Sequence, residues 1–170
     1  MKIRHLNFLL KKVKENSPTN KGIDCACGSG LFTRKLKKEG FSVFGVDVSE
    51  EMLQEAKNKA ITEKLNIEYL KQDMKNLKSF EKVGFISVVN DGINYLSISD
   101  LKKAFTSFNK CLVKGGFLIF DISSKHKLLN VLNGNVFCDN DEKVSYIWFN
   151  TFMQDKNAIN LTLTFFEKQG

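Results

Sequence analysis

Two cysteines and two of the three glycines lie close together in the segment GIDCACGSGLFTRKL, residues 22 to 36. A short apolar run comes first, Gly28-Ser29-Gly30 follows, and a stretch of helical character comes next. Thiols are metal ligands, whereas a glycine turn before a helix brings backbone N–H groups close to a phosphate or a carboxylate. The segment is therefore a candidate for a metal clip, a phosphate cradle or the cofactor loop of an enzyme.

The spacing of the cysteines argues against the metal clip. Zinc ribbons use paired C-x₂-C clips, but Cys25 and Cys27 occupy alternate positions of an apolar run, and Cys111 and Cys138 lie far away. We interpret them as small buried hydrophobic residues and predict no metal site. The dinucleotide fingerprint G-x-G-x-x-G is not met either, because Thr33 stands where its third glycine would fall, and no Walker motif follows.

Polar residues follow three later apolar runs of the chain. Asp47 ends the second run, 17 residues after Gly30, where a carboxylate can accept both hydroxyls of a ribose. Gln72-Asp73-Met74 ends the third run and combines hydrogen-bond acceptors with an apolar side chain suited to an adenine. Asn90-Asp91-Gly92 ends the fourth. Together with the glycine turn, these residues are typical of a nucleotide-like ligand site.

The elements that must position these residues alternate between apolar runs and amphipathic segments. This alternation predicts βαβ units and a parallel sheet with helices on both faces, and such sheets bind ligands at the carboxyl ends of their strands. The predicted strands are GIDCAC, FSVFGVDV, NIEYLKQD, VGFISVVN and GGFLIFDI. The predicted helices are residues 2 to 15, LFTRKLKKE, a helix capped by Ser49, and a helix opened by Ser99 and Asp100.

The C-terminal part of the chain, residues 123 to 170, has a different pattern. VSYIWFNTFM and AINLTLTFF flank the turn-like QDKN, and apolar residues alternate with polar ones in the second run. A period of two predicts an antiparallel β-hairpin. We therefore divide one domain into a core, residues 1 to 122, and a linker with a lid-like hairpin, residues 123 to 170.

The overall composition predicts a globular cytoplasmic protein. The chain has 170 residues, four cysteines, no apolar run long enough for a bilayer and no signal-peptide pattern, so we expect no membrane contact. Its net charge is +7, but only Arg4 and Arg34 among the 26 basic residues are arginines. Arginine binds phosphate and guanine through two parallel N–H donors, which lysine cannot do. The positive charge is therefore better explained by solubility than by nucleic-acid binding.

In this order and spacing, DCACGSG, VFGVDVSEEML, KQDMKNL and KGGFLIFDI resemble the class I S-adenosylmethionine-dependent methyltransferases over about residues 20 to 122. VVNDGINYL, DLKKAF and the aromatic hairpin resemble a bacterial subgroup that methylates small molecules and carries a β-ribbon lid. The resemblance implies a Rossmann-like, doubly wound α/β fold with a mostly parallel sheet of strand order 3-2-1-4-5. It also implies an enzyme with S-adenosyl-L-methionine as cofactor and a small molecule as substrate.

The resemblance further implies roles for individual residues. Asp47 would bind the ribose, Asp73 the adenine amine, and the backbone oxygen of Asn90 the ammonium group of the cofactor. Asp91, with Asn94 nearby, would face the transferable methyl group, and Asp91 is the candidate general base. No role is predicted for His5. The complete set of implied cofactor-binding residues is Asp24, Ala26, Gly28, Gly30, Asp47, Val48, Met52, Asp73, Met74 and Asn90.

The sequence also departs from this family. The family builds a seven-stranded sheet of order 3-2-1-4-5-7-6, and strands 6 and 7 are missing here. Either the chain is truncated, which leaves strand 5 as an exposed edge, or the hairpin replaces the two strands. We favour the first explanation and expect homodimerisation through this edge or through the hairpin. The alternatives for function are an RNA or protein methyltransferase and a non-catalytic cofactor-binding fragment.

Overall fold

The computed structural model describes residues 3–140, 144–155 and 158–168. Within these ranges the chain forms four α-helices and eight β-strands. The helices are α1 (Ile3–Asn16), α2 (Leu31–Lys38), α3 (Glu50–Thr62) and α4 (Ile98–Cys111). The strands are β1 (Lys21–Cys25), β2 (Ser42–Asp47), β3 (Tyr69–Lys71), β4 (Val83–Val88), β5 (Leu112–Phe120), β6 (Val136–Asn140), β7 (Val144–Met153) and β8 (Ala158–Glu167).

The chain divides into two compact units, Met1–Ile122 and Ser123–Gly170. The first unit holds a five-stranded parallel sheet of order β3-β2-β1-β4-β5, which confirms the predicted strand order. The chain runs from β1 outward to β3 and then returns to place β4 on the other side of β1. The carboxyl ends of β1 and β4 are therefore neighbours at the topological switch point, where ligands bind in such sheets.

Helices cover both faces of this sheet because successive side chains of its buried strands point to opposite sides. Phe85 of β4 lies in the same cluster as the apolar stripe of α1, in which Val13 is fully buried. Ile86, the next residue, packs in the opposite cluster with Ala104 and Phe108 of α4. All six residues of β4 are buried, which is the pattern of a central parallel strand.

Local capping signals set where two of the helices begin. The hydroxyl of Ser49 accepts a hydrogen bond from the backbone N–H of Met52 at 3.2 Å, as predicted for the start of α3. Helix α4 begins earlier than the sequence suggests, because Ser97 and not Ser99 caps it, with its hydroxyl accepting from the N–H of Asp100. Both caps satisfy N–H groups that have no partner inside the helix.

The second unit is a three-stranded antiparallel sheet of order β6-β7-β8. The predicted hairpin is confirmed as β7 and β8, whose register pairs Trp148 with Leu163. Strand β6 was not predicted, because its sequence, VFCDN, has no clear alternation and becomes a strand through pairing with β7. A turn of π-helix, Lys127–Leu132, precedes it.

Strand β5 pairs only with β4 among the residues that the structure describes. The expected association through this edge stays a prediction. None of the helices in the described part of the chain combines the length and the apolar character that a bilayer crossing requires.

We predict that Gly22→Ala destabilises the parallel sheet. A Cβ atom at Gly22 would lie 2.1 Å from the nearest ring atom of Phe85, whose side chain is fully buried. Overpacking of this kind costs about 1–3 kcal/mol of the free energy of unfolding, measurable by urea denaturation. Ser42→Ala, at an exposed position of β2, is the control.

The double variant Gly22→Ala/Phe85→Leu tests the cause. Because leucine removes the clashing ring atoms, its loss of stability should be smaller than the sum of the two single losses. Additive losses would contradict the proposed clash.

Candidate functional site

A cleft of about 930 Å³ opens at the carboxyl end of the parallel sheet, within the first unit. Its walls come from the glycine turn after β1, the ends of β2 and β3, and the segment that follows β4. This volume is in the range of small-molecule and cofactor sites. The sheet topology therefore brings together the chain segments that the sequence analysis selected.

The turn after β1 follows a left-handed path. Ala26, Gly28 and Gly30 have φ angles of 54°, 52° and 72°, and the N–H of Gly30 donates to the carbonyl of Cys27 at 2.9 Å. A Cβ atom on Gly28 would meet nothing within 4 Å, so space does not require a glycine here. Glycine is favoured because its φ angle is positive, and without a side chain the main chain stays open to the cleft. A Cβ on Gly30 would lie 2.5 Å from the hydroxyl oxygen of Tyr69.

The glycines of this turn therefore have different functions. Gly28 lines the cleft, whereas Gly30 lies outside the lining and allows the turn to pack against β3. Their predicted contacts with the cofactor stay predictions. The thiols of Cys25 and Cys27 are buried beside the turn, and burial raises the pKa of both.

Asp47, at the end of β2, binds the glycine turn directly. One carboxylate oxygen accepts from the N–H of Gly28 at 2.8 Å and the other accepts from the N–H of Ser49 at 3.0 Å. Each carboxylate oxygen has two acceptor sites, so both oxygens of Asp47 keep a lone pair for a further donor. The residue borders the cleft, and its ribose-binding role stays a prediction.

Val48 and Met52 present apolar side chains to the cleft although they are 61% and 45% exposed. Met74, after β3, lines the same cleft. Exposed apolar side chains that converge on one cavity favour a flat apolar ligand group, because its binding would remove their surface from water. The resemblance implies that these three residues lie near the adenine of the cofactor, and this role stays a prediction.

Asp73 carries two local interactions. One of its carboxylate oxygens accepts from the backbone N–H of Lys75 at 2.9 Å, and the other lies 3.2 Å from the Lys75 ammonium nitrogen. The contact of the Lys75 ammonium group with Asp73, together with the charge of Asp100, raises the pKa of Lys75. Asp73 lines the cleft with a partly engaged carboxylate, and its contact with an adenine amine stays a prediction.

The segment after β4 contains two consecutive left-handed residues, Asn90 and Asp91, with φ angles of 63° and 62°. Asn90 lines the cleft, and the contact of its backbone oxygen with the cofactor stays a prediction. The carboxylate of Asp91 accepts from the side-chain amide of Asn94 at 2.8 Å, and Asp91 is absent from the cleft lining. Asp91 thus lies in the same segment as the cleft residue Asn90. Its role as a general base stays a prediction.

The structure places Asp24 beneath the cleft and not in its wall. Its carboxylate is fully buried and accepts from the hydroxyls of Thr33 at 2.6 Å and Ser87 at 2.8 Å. Burial raises the pKa of this carboxyl to about 6, against the lowering effect of the two hydroxyls. Its observed role is structural, because it ties the start of α2 and strand β4 to β1 under the glycine turn. The predicted cofactor-binding role of Asp24 stays a prediction.

Several residues at the cleft were missed by the sequence analysis. Leu31, Tyr95 and Leu96 line it, but they lie at a helix start and in a short 3₁₀ turn where no periodic pattern marks them. The carboxylate of Asp121, directly after β5, binds the segment after β4, and the imidazole of His5 binds that carboxylate. Only the position of Asp121 at a strand end could have signalled this contact.

Comparison with known proteins gives consistent results. Residues 23–116 match a family described as "Methyltransferase domain". A protein of Geobacillus sp. (strain WCH70), named as a methyltransferase, is 34% identical over 163 residues, which are 94% of this chain and 66% of that protein. The chain thus spans about two thirds of the length of this relative.

Two further similarities cover different parts of the chain. An S-adenosylmethionine-dependent methyltransferase from Clostridium acetobutylicum superposes with a TM-score of 0.85 at 36% identity, over 97% of this chain and 67% of the other. A ubiquinone biosynthesis O-methyltransferase of Coxiella burnetii is 43% identical over 81 residues, which are 45% of this chain and 35% of that enzyme.

We predict that Asp24→Asn changes the pH dependence of stability. The carboxyl has a reference pKa of 3.8 and a pKa of about 6 in the folded protein, so both states are protonated below about pH 4. Between about pH 4 and pH 6 the unfolded chain loses its proton first, and the wild type should lose about 3 kcal/mol of unfolding free energy relative to the variant. Above this window the gap should be constant.

Urea denaturation at pH 4, 5, 6 and 7 measures this gap. Asp155→Asn, at an exposed carboxylate in the second unit, is the control and should follow the wild type. A stability difference between Asp24→Asn and the wild type that is the same at every pH would show that the buried carboxyl does not titrate in this window.

Proposed function

The chain belongs to the S-adenosylmethionine-dependent methyltransferases, and from this premise we propose that it transfers a methyl group from S-adenosylmethionine to a nucleophile on a small molecule. The family and the cofactor follow from the matched domain and from the structural relative. The activity of this chain and the class of its acceptor are the proposal.

One observation supports the proposal most strongly. The open backbone at Gly28, the carboxylate of Asp47 and the exposed apolar side chains of Val48 and Met52 surround the same cleft. An adenosyl group has a diol that suits a carboxylate and a flat ring that suits apolar side chains. The residues present therefore fit the cofactor.

In methyl transfer the main task of the protein is to position the methyl donor and the acceptor. When bound, S-adenosylmethionine supplies a methyl group on a positively charged sulfur, which is already activated for transfer. The residues of this chain would hold and orient the donor: Asp47 at its diol, Val48, Met52 and Met74 at its ring, and the backbone near Gly28 at its amino-acid end. Alignment of this kind contributes about 7–11 kcal/mol to the lowering of a barrier.

The acceptor class is inferred from the relatives and from the charge distribution. One relative is named for ubiquinone biosynthesis, which is small-molecule chemistry. The alternative, an RNA methyltransferase, is favoured by the net charge of +7. However, several lysines are paired with acidic side chains, including Lys71 with Glu50 and Lys38 with Glu63, so the positive charge is partly neutralised locally. A small acceptor is the better inference.

We predict that the wild-type chain binds S-adenosylmethionine and that Asp47→Asn weakens this binding about 10- to 100-fold. The amide is uncharged and has one acceptor oxygen, so its NH₂ group must face the N–H of Gly28 or of Ser49, and the ribose loses a charged acceptor. A hydrogen bond to a charged group contributes about 1.5–3 kcal/mol, which corresponds to this range.

Isothermal titration calorimetry with S-adenosylmethionine and with its demethylated product measures the affinities. Glu81→Gln, at an exposed acid outside the cleft, should bind as the wild type does. Equal affinities of Asp47→Asn and Glu81→Gln would contradict the proposed site, and the absence of heat with the wild type would contradict cofactor binding by this chain.

We predict that binding of a generic RNA duplex to the chain is weak and is lost when salt is raised from 50 to 200 mM, whereas cofactor affinity changes little. Phosphate contacts release counterions and are therefore salt-dependent. Fluorescence anisotropy with a labelled duplex, beside a methyl-transfer screen of small molecules with labelled cofactor, separates the two acceptor classes. Tight RNA binding with methylation of the RNA would support the alternative.

A further inference from the structure

The segment that follows β4 has an unusual backbone. Asn90 and Asp91 are consecutive non-glycine residues in the left-handed region, with φ angles of 63° and 62°. Asparagine and aspartate tolerate this conformation as single residues, but L residues avoid it in succession. Such a conformation persists only where surrounding groups hold it.

Asp121 provides groups that hold this segment. One of its carboxylate oxygens accepts from the N–H of Asp91 at 2.8 Å, and the other accepts from the N–H of Asn90 at 3.1 Å. Asp121 comes directly after β5, whose last residue, Phe120, pairs with Val88 at the end of β4. The parallel register of β4 and β5 thus places the carboxylate of Asp121 next to Asn90 and Asp91.

His5 contacts the carboxylate of Asp121 as well. Its Nε2 lies 3.1 Å from the Asp121 oxygen that also accepts from Asn90, and the two side chains are 41% and 22% exposed. His5 stands on α1 beside Leu6, which is buried in the cluster that holds this helix on the sheet. The position of the imidazole is therefore set by the packing of α1.

The strained segment forms part of the cofactor cleft. Asn90 and Gly92 line the cleft. A Cβ atom on Gly92 would lie 3.0 Å from the Cβ of Ala26, so the segment packs against the glycine turn without space between them. A change in the backbone of Asn90 or Asp91 would therefore change the wall of the cleft and its contact with the turn.

We propose that Asp121 is a positioning residue of the methyl-transfer site, oriented by His5, and that this pair couples helix α1 to the cofactor cleft. Asp121 keeps Asn90 and Asp91 in the left-handed conformation in which the cleft has its binding shape. The inference rests on the proposed function, since the effect is expected on the affinity for S-adenosylmethionine.

Asp121→Asn tests the role of the carboxylate. The amide has one acceptor oxygen and one NH₂ group, so it cannot accept at both ends, and its NH₂ must face at least one N–H donor. We expect an affinity for S-adenosylmethionine at least 10-fold weaker, measured by calorimetry. The matched control is Asp139→Asn, at an exposed carboxylate of β6, which should bind as the wild type does.

Two variants of His5 test the inference even if Asp121→Asn does not fold. His5→Gln retains a side-chain N–H donor for Asp121, whereas His5→Leu removes it. We expect His5→Leu to weaken cofactor binding several-fold and His5→Gln to restore most of the affinity. His126→Gln, at an exposed histidine of the second unit, is the control.

The backbone amide signals of Asn90 and Asp91 in ¹H–¹⁵N spectra provide a readout that a general loss of stability would not move. These signals should shift in Asp121→Asn, while the amide signal of Gly28, which donates to Asp47, should stay in place. Unshifted Asn90 and Asp91 signals, or equal affinities of Asp121→Asn and Asp139→Asn, would overturn the inference. If the wild type itself binds no cofactor, the proposed function fails, and these spectra still decide whether Asp121 holds the segment.

Discussion

The hydrogen bond from the backbone N–H of Gly28 to the carboxylate of Asp47 joins the ends of two neighbouring strands, and both residues border the cleft at the edge of the sheet. It forms because β1 and β2 run parallel in a register that pairs Cys25 with Val46, which brings their carboxyl ends to the same edge. A carboxylate at this point both holds the turn open and keeps acceptor sites for a ligand. The side chain of Asp47 therefore both supports the turn and borders the cleft.

The glycine turn is supported from beneath by a second carboxylate. Asp24 is fully buried, and the hydroxyls of Thr33 and Ser87 satisfy its two oxygens. A buried acid costs stability, as its raised pKa shows, but its hydrogen bonds tie three elements together under the turn. The chain thus uses one acid facing the cleft and one acid below it, and only their environments distinguish the two.

Backbone strain is concentrated at the cleft. Four non-glycine residues in the described part of the chain have a positive φ angle, and three of them, Ala26, Asn90 and Asp91, belong to the glycine turn or the segment after β4. Strained backbone is typical of binding sites because neighbouring contacts must hold it in a defined shape. Asp47 contacts the first of these segments and Asp121 the second, so each strained segment has its own carboxylate partner.

The alternation of strands and helices, the parallel sheet and the strand ends at the cleft could be predicted from the sequence, because they follow from local periodicity and from the chirality of βαβ connections. Which carboxylate faces the cleft depends on how the strands pair. Asp24 and Asp47 both end or interrupt an apolar run, but strand pairing buries the first and leaves the second at the edge. Strand β6 was missed because VFCDN has no clear alternation of apolar and polar residues, although its partner β7 follows directly in the chain. The contact of His5 with Asp121 was missed because it joins residues 116 positions apart. Contacts of this kind depend on register and packing, which no single segment encodes.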